Sequence, residues 1–174
     1  RDDLDATVAE LMELGAPDAV ALQVDLFDGA SVDAALAALD QRWGHLNALV
    51  NAAGPLVGDL KSFETYTDDE WQSVYSGLLM GAVRTIRAAL PLLRKADWAR
   101  IVNVSAMSTK RQSPPLVAYT SAKAALTSVS KNLSQSLAPE GILVNTVSPG
   151  TFVSESFKKV LAPIPDLDEN DLHA

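Results

Sequence analysis

Tyr119 and Lys123 stand four residues apart in a stretch that reads as helix, so their side chains share one face. A free phenol has a pKa of about 10, too high to exchange protons readily near neutrality. A neighbouring ammonium stabilises the phenolate and lowers that value. A shift of roughly three units requires about 4 kcal/mol of differential interaction. A phenol tuned in this way can give a proton to a carbonyl oxygen or take one from an alcohol. The same spacing also fits an exposed pair on a solvated helix face, so the surrounding elements must decide.

Those elements alternate. Residues 1–15 read as a helix with Leu4, Val8, Leu11 and Leu14 at helical spacing, and Ala19 to Val24 as a short buried strand. Ser31 to Trp43 reads as a helix closed by Gly44, and His45 to Val50 as a second strand. Thr67 with Glu70 is a capping-box signature for a long helix, 68–95, with an apolar stripe from Trp71 to Leu93 and a bend expected at Pro91. Ile101–Val104 reads as a third strand, 117–137 as a helix stopped by Pro139-Glu140-Gly141, and Ile142–Val147 as a fourth strand. Residues 151–174 read as loop.

Strands alternating with helices favour a parallel sheet covered by helices, whose ligands bind at the carboxyl ends of the strands. Asp25, Asn51 to Gly54, Ser105 to Ser108 and Pro149-Gly150 all fall at such ends, so four loops converge on one crevice.

Composition removes other chemistries. With 174 residues one domain is expected, and 48% hydrophobic with 21% charged residues argues against disorder. There is no cysteine and only His45 and His173, which excludes a disulfide scaffold, a thiol nucleophile and a multi-histidine metal centre. Residues 1–50 hold 10 acidic and 2 basic side chains while 51–174 hold 12 of each, so no basic stripe offers itself to nucleic acid. The acidic side chains of the first third are expected on solvated helix faces. The best apolar run, Leu78 to Val83, is cut by Arg84, and the N-terminus is acidic; neither a membrane span nor a secretory signal is read, and a cytoplasmic location is expected. A serine hydrolase finds no G-x-S-x-G turn.

The order and spacing of VDLFD, LVNAAG, RIVNVSA, YTSAK and GILVNTVSPGTFVS, with the helix DDEWQSVYSGLLMGAVRTIRAALPLL between the second and third, carry a family likeness. The sequence resembles the short-chain dehydrogenase/reductase family, from its first residue to about Ser156. The resemblance implies a Rossmann-like, doubly wound parallel sheet in three α/β/α layers. It implies hydride transfer between NADP or NAD and a small-molecule ketone or secondary alcohol, in a homodimer or homotetramer. Tyr119 would be the acid/base residue, and Lys123 would lower its pKa and bond the nicotinamide ribose. Asp25 and Leu26 would meet the adenine, and Asn51, Ala52, Ala53 and Gly54 would pass the cofactor. Pro149 and Gly150 would face the nicotinamide, and Ser154 would hold its carboxamide. Arg1 falls where NADP-preferring members place an arginine, which tips the expectation slightly toward NADP. For Asp25, Ser154 and Arg1 a turn aspartate, a loop serine and a solvated terminus are the plain alternatives.

Three departures stand out. The family's catalytic serine lies thirteen residues before the tyrosine, where this chain has Ala106. Losing such a donor typically costs on the order of 10²–10³ in turnover. Ser105 should point to the other face by strand alternation, and Ser108 is the better stand-in if its loop folds back. Leu78 occupies the position of an asparagine expected in a proton relay. Finally, no clustered-glycine turn for the pyrophosphate occurs in residues 1–50, so the 174 residues are expected to be one partial domain of a longer polypeptide, with 151–174 as its substrate-loop region. That partial domain would lack the N-terminal β-α-β unit and the C-terminal helix and strand. A nucleotide-binding protein with weak or no catalysis is the competing expectation, and an assembly role for the two long helices a third.

Overall fold

The computed structural model describes residues 2–54 and 61–150. Helices α1 (Asp2–Glu13) and α2 (Gly29–Trp43) precede strand β1 (Ala48–Asn51). Helices α3 (Asp68–Tyr75) and α4 (Gly81–Leu93) lead to β2 (Ala99–Val104), and α5 (Val117–Leu137) leads to β3 (Ile142–Val147). The three strands form one parallel sheet in the order β1-β2-β3, with Asn51 paired to Asn103 and Val104 to Val147. This is the expected Rossmann-like α/β arrangement.

Each step from strand to neighbouring strand moves in one direction, and right-handed crossovers then place the helices on one face. Ala99, Ile101, Ile142 and Val144 point into that face and meet Val32 and Leu36 of α2, Ile86, Ala89 and Leu93 of α4, and Leu137 of α5. Truncating a fully buried leucine such as Leu93 costs about 2–5 kcal/mol. The opposite face carries the exposed Val50, Leu143 and Val147, and among the described residues no helix covers it.

The helix termini follow their sequence signals. Thr67 Oγ1 accepts from the Glu70 amide at 3.3 Å and Glu70 Oε2 accepts from the Thr67 amide at 2.8 Å, completing the capping box. Gly44 closes α2 with φ 74°, in the left-handed region that favours glycine.

Other expectations are corrected. Residues 19–24 do not form a strand: no strand lies beside them among the described residues, and an unpaired segment has no ladder to define it. β1 begins three residues later than expected, at Ala48, where pairing with Arg100 begins. The long helix is interrupted by a π-helical turn over Ser76–Met80, and α4 runs through Pro91 to Leu93. Leu4, Leu11 and Leu14 of the first helical stretch are exposed rather than packed. Taken together, Asp68–Leu93 is long and apolar enough to cross a membrane by length and composition. Its apolar residues Leu78, Ala82, Ile86, Ala89, Leu92 and Leu93 are nevertheless buried, and the Arg84 guanidinium donates to the Leu26 carbonyl at 2.9 Å, which makes it the core helix of this sheet. Arg1, Ser154 and the 151–174 region lie outside the described residues.

Candidate active site

The carboxyl ends of β2 and β3 stay joined beyond the strands. The Ser105 amide donates to the Val147 carbonyl at 2.7 Å and the Met107 amide to the Pro149 carbonyl at 3.0 Å. Pro149-Gly150 therefore lies against the start of the 106–116 loop, with the Met107 sulfur 3.8 Å from where a Cβ on Gly150 would sit. Ser105 turns inward, as alternation requires. Its hydroxyl bonds the Lys123 carbonyl at 3.1 Å and Thr127 at 2.9 Å, bracing α5 rather than facing a ligand.

Tyr119 and Lys123 do share a face of α5. Lys123 is buried, its ammonium lies 5.8 Å from the Tyr119 ring centroid, and it donates to the Val104 carbonyl at 2.7 Å. Burial pushes the Tyr119 phenol up from its ordinary value and the Lys123 ammonium down. In the chain by itself the ammonium does not outweigh desolvation at the phenol. An ammonium has three N–H donors, and only the Val104 contact occupies one among the described residues.

The adenine-end candidates meet around α4. Leu26, Asn51 and Ala53 line one cleft of about 170 Å³ together with Gly81 and Thr85. Leu26 rests on Gly81, where an added Cβ would come within 3.2 Å of it. The Asp25 carboxylate accepts from the Phe27 amide at 2.8 Å, so the turn role is realised by one oxygen while the side chain is exposed. Leu78 is buried and its Cδ2 lies 2.7 Å from where a Cβ on Gly54 would be, so only glycine fits at position 54 while Leu78 keeps its place.

A buried polar chain ties the strand ends to the helix. The Asn51 amide donates to Asn103 at 2.8 Å, Asn103 donates to the Ser130 hydroxyl at 2.8 Å, and Ser130 donates to the Leu126 carbonyl at 2.7 Å. Asn103 and Ser130 were not singled out from the sequence, and the only signal for them there was a polar residue inside an apolar strand or helix stripe. Arg84 was read only as the charge that cut an apolar run. It donates to the carbonyls of Leu26 and Ser76, joining the loop at Leu26 to the π-helical turn.

The buried, incompletely used ammonium, the half-buried phenol and the shared cleft of Leu26, Asn51 and Ala53 fit the ribose-nicotinamide and adenine ends of a dinucleotide.

Against known proteins, the family model described as short chain dehydrogenase matches residues 1–164, and the chain belongs to that family. A D-beta-hydroxybutyrate dehydrogenase of Rhizobium meliloti is 26% identical over 165 residues, 95% of this chain and 62% of that protein. Among solved structures, a short-chain dehydrogenase from Streptomyces avermitilis superposes with a TM-score of 0.79 at 32% identity, covering 90% of this chain and 55% of that one. An NADPH-bound short chain oxidoreductase from Pseudomonas aeruginosa, described as containing an atypical catalytic center, gives 0.83 at 26% identity, covering 92% and 62%. The chain thus spans between about half and two thirds of the length of these relatives.

Proposed function

We propose that this chain serves an NAD(P)-dependent oxidoreductase acting on a small-molecule ketone or secondary alcohol. One observation carries the reading: a half-buried phenol and a buried ammonium sit on one helix face beside the joined carboxyl ends of β2 and β3. Bound NAD(P) would supply or accept the hydride. Tyr119 exchanges the proton at the substrate oxygen. Lys123, held by the Val104 carbonyl, keeps its remaining donors for the nicotinamide ribose and Tyr119. Ser108 takes the hydroxyl role absent at Ala106. Asp25, Leu26 and Asn51 to Gly54 orient the adenosine half; Pro149, Gly150 and Ser154 orient the nicotinamide half. Arg1 favours NADP over NAD. The active form would be a homodimer or homotetramer in the cytoplasm, with residues 151–174 shaping the substrate pocket of one partial domain.

A second reading, a nucleotide-binding protein with little catalysis, rests on Ala106, which has no hydroxyl to offer, and on Leu78. Leu78 packs at the loop 51–54 where a polar relay residue would sit. The NADPH-bound Pseudomonas aeruginosa neighbour, described as containing an atypical catalytic center, supports nucleotide binding, which both readings share. Fluorescence titration with NADPH followed by absorbance at 340 nm with a ketone panel separates the two. Binding with turnover supports oxidoreduction; binding without turnover on any substrate supports the second reading.

A further inference from the structure

We propose that Thr120 is a positioning residue that aims the Ser108 hydroxyl proton at the substrate oxygen. The inference rests on the oxidoreductase reading and extends it to a residue with no expected role.

Ser108 follows the strand end by too many residues to face Tyr119 if the chain stays extended. The loop does not stay extended. Met107–Thr109 form a 3₁₀ turn, with the Thr109 hydroxyl on the Ala106 carbonyl at 2.8 Å and the Lys110 amide on the Met107 carbonyl at 2.8 Å. A 3₁₀ turn advances about 2.0 Å per residue where a strand advances about 3.3 Å. Ser108 is drawn back toward α5, and the turn is anchored to Pro149 through the Met107 amide.

There it meets the residue next to Tyr119. Thr120 Oγ1 donates to Ser108 Oγ at 3.0 Å. The direction of this bond follows from burial. Thr120 is 8% exposed and makes no bond to the carbonyl one turn back. The bond runs from Thr120 Oγ1 to Ser108 Oγ; were Ser108 the donor, the little-exposed Thr120 hydroxyl would have no protein acceptor among the described residues, which is costly. A hydroxyl has a single proton. With the Thr120 proton on Ser108, the Ser108 proton has no protein acceptor among the described residues, and Ser108 is only partly buried. An approaching carbonyl or alcohol oxygen is its natural acceptor. The incoming bond polarises the outgoing one, since hydrogen-bond chains strengthen one another. Thr120 also lines a cavity of about 840 Å³ with Val117, Ser121 and Ala124; neither Ser108 nor Lys123 is part of that lining.

The test compares wild type, Thr120→Val, Thr120→Ser, Ser108→Ala and the Thr120→Val/Ser108→Ala double variant. NADPH-dependent ketone reduction, NADPH affinity by fluorescence titration, and the Thr120 hydroxyl proton by NMR are read on each. Ser108→Ala should cut kcat on the order of 10²-fold or more. Thr120→Val should cut kcat roughly tenfold with KM and NADPH affinity unchanged, and Thr120→Ser should restore it. The double variant should be no slower than Ser108→Ala alone, because Thr120 acts through Ser108. The Thr120 hydroxyl proton should be slow to exchange in wild type and fast in Ser108→Ala. Unchanged kcat in Thr120→Val, or losses that multiply in the double variant, overturn the inference. A wild-type chain without turnover refutes the oxidoreductase reading instead. The hydroxyl pair is then judged on NMR alone: proton protection lost in Ser108→Ala supports it, and no protection in wild type overturns it.

Discussion

Lys123 Nζ donates to the Val104 carbonyl at 2.7 Å, and this bond fixes the ammonium 5.8 Å from the Tyr119 ring centroid. The backbone of the sheet, not another side chain, sets the distance between the two titrating groups. The cation is therefore placed before any ligand arrives.

Tyrosinate absorbance, assigned by difference against Tyr119→Phe, should report this arrangement. In the free chain burial holds the phenol above its ordinary value. The neutral form is favoured by the fold, so its contribution to stability is full below about pH 10 and is lost as pH rises through the raised value. Saturating NADP+ should lower the titration by roughly one to three units, because a positive ring beside the phenolate adds to the ammonium. The same titration with and without nucleotide would show that the phenol is not tuned.

Leu78 and Gly54 should be energetically coupled. Gly54→Ala places a Cβ on top of Leu78 Cδ2 and should cost about 1–3 kcal/mol in stability, with weaker NADPH binding. In a Leu78→Ala background the same change should cost much less, as denaturant melts of all four proteins would reveal. Equal costs in the two backgrounds would mean the contact is relieved elsewhere.

Much of this was legible in the sequence, for physical reasons that differ by residue. The shared face of Tyr119 and Lys123, the inward turn of Ser105 and the Thr67–Glu70 box depend only on local periodicity and capping, which a sequence displays directly. The 19–24 strand failed because a strand is defined by a partner, and an apolar run does not name one. The π-helical turn at Ser76–Met80 was hidden because the apolar stripe continues across it. The acceptor of Lys123 was hidden because every residue carries the same carbonyl, and only the fold selects Val104.

Arg84 should hold the segment around Leu26 to the π-helical turn. Its guanidinium reaches the Leu26 carbonyl at 2.9 Å and the Ser76 carbonyl at 3.2 Å. Arg84→Met keeps the bulk and removes the donors, and should cost about 1.5–3 kcal/mol in a urea melt. A variant as stable as wild type would show that water replaces both bonds.

Acid should loosen the periphery before the core. The Arg42 guanidinium and the Trp43 indole hold the Asp18 carboxyl down at about 2, and Lys61 with the Thr67 amide and hydroxyl does the same for Glu70. Groups depressed by folding contribute stability above their unfolded values near 4 and lose it as pH falls toward 2. Asp18→Asn and Glu70→Gln should each flatten the loss of thermal stability between about pH 4 and 2. Both sites are exposed, so the effect should shrink in high salt. A pH dependence identical to wild type would show that neither pair matters to folding.

The most direct measurement is ketone-dependent NADPH oxidation by wild type and Tyr119→Phe. Removing the phenolic oxygen leaves the ring and the Lys123–Val104 bond in place, so NADPH affinity should hold while kcat falls by about 10²–10⁴-fold. Turnover that survives Tyr119→Phe at the wild-type rate would contradict the assignment of this hydroxyl as the proton donor.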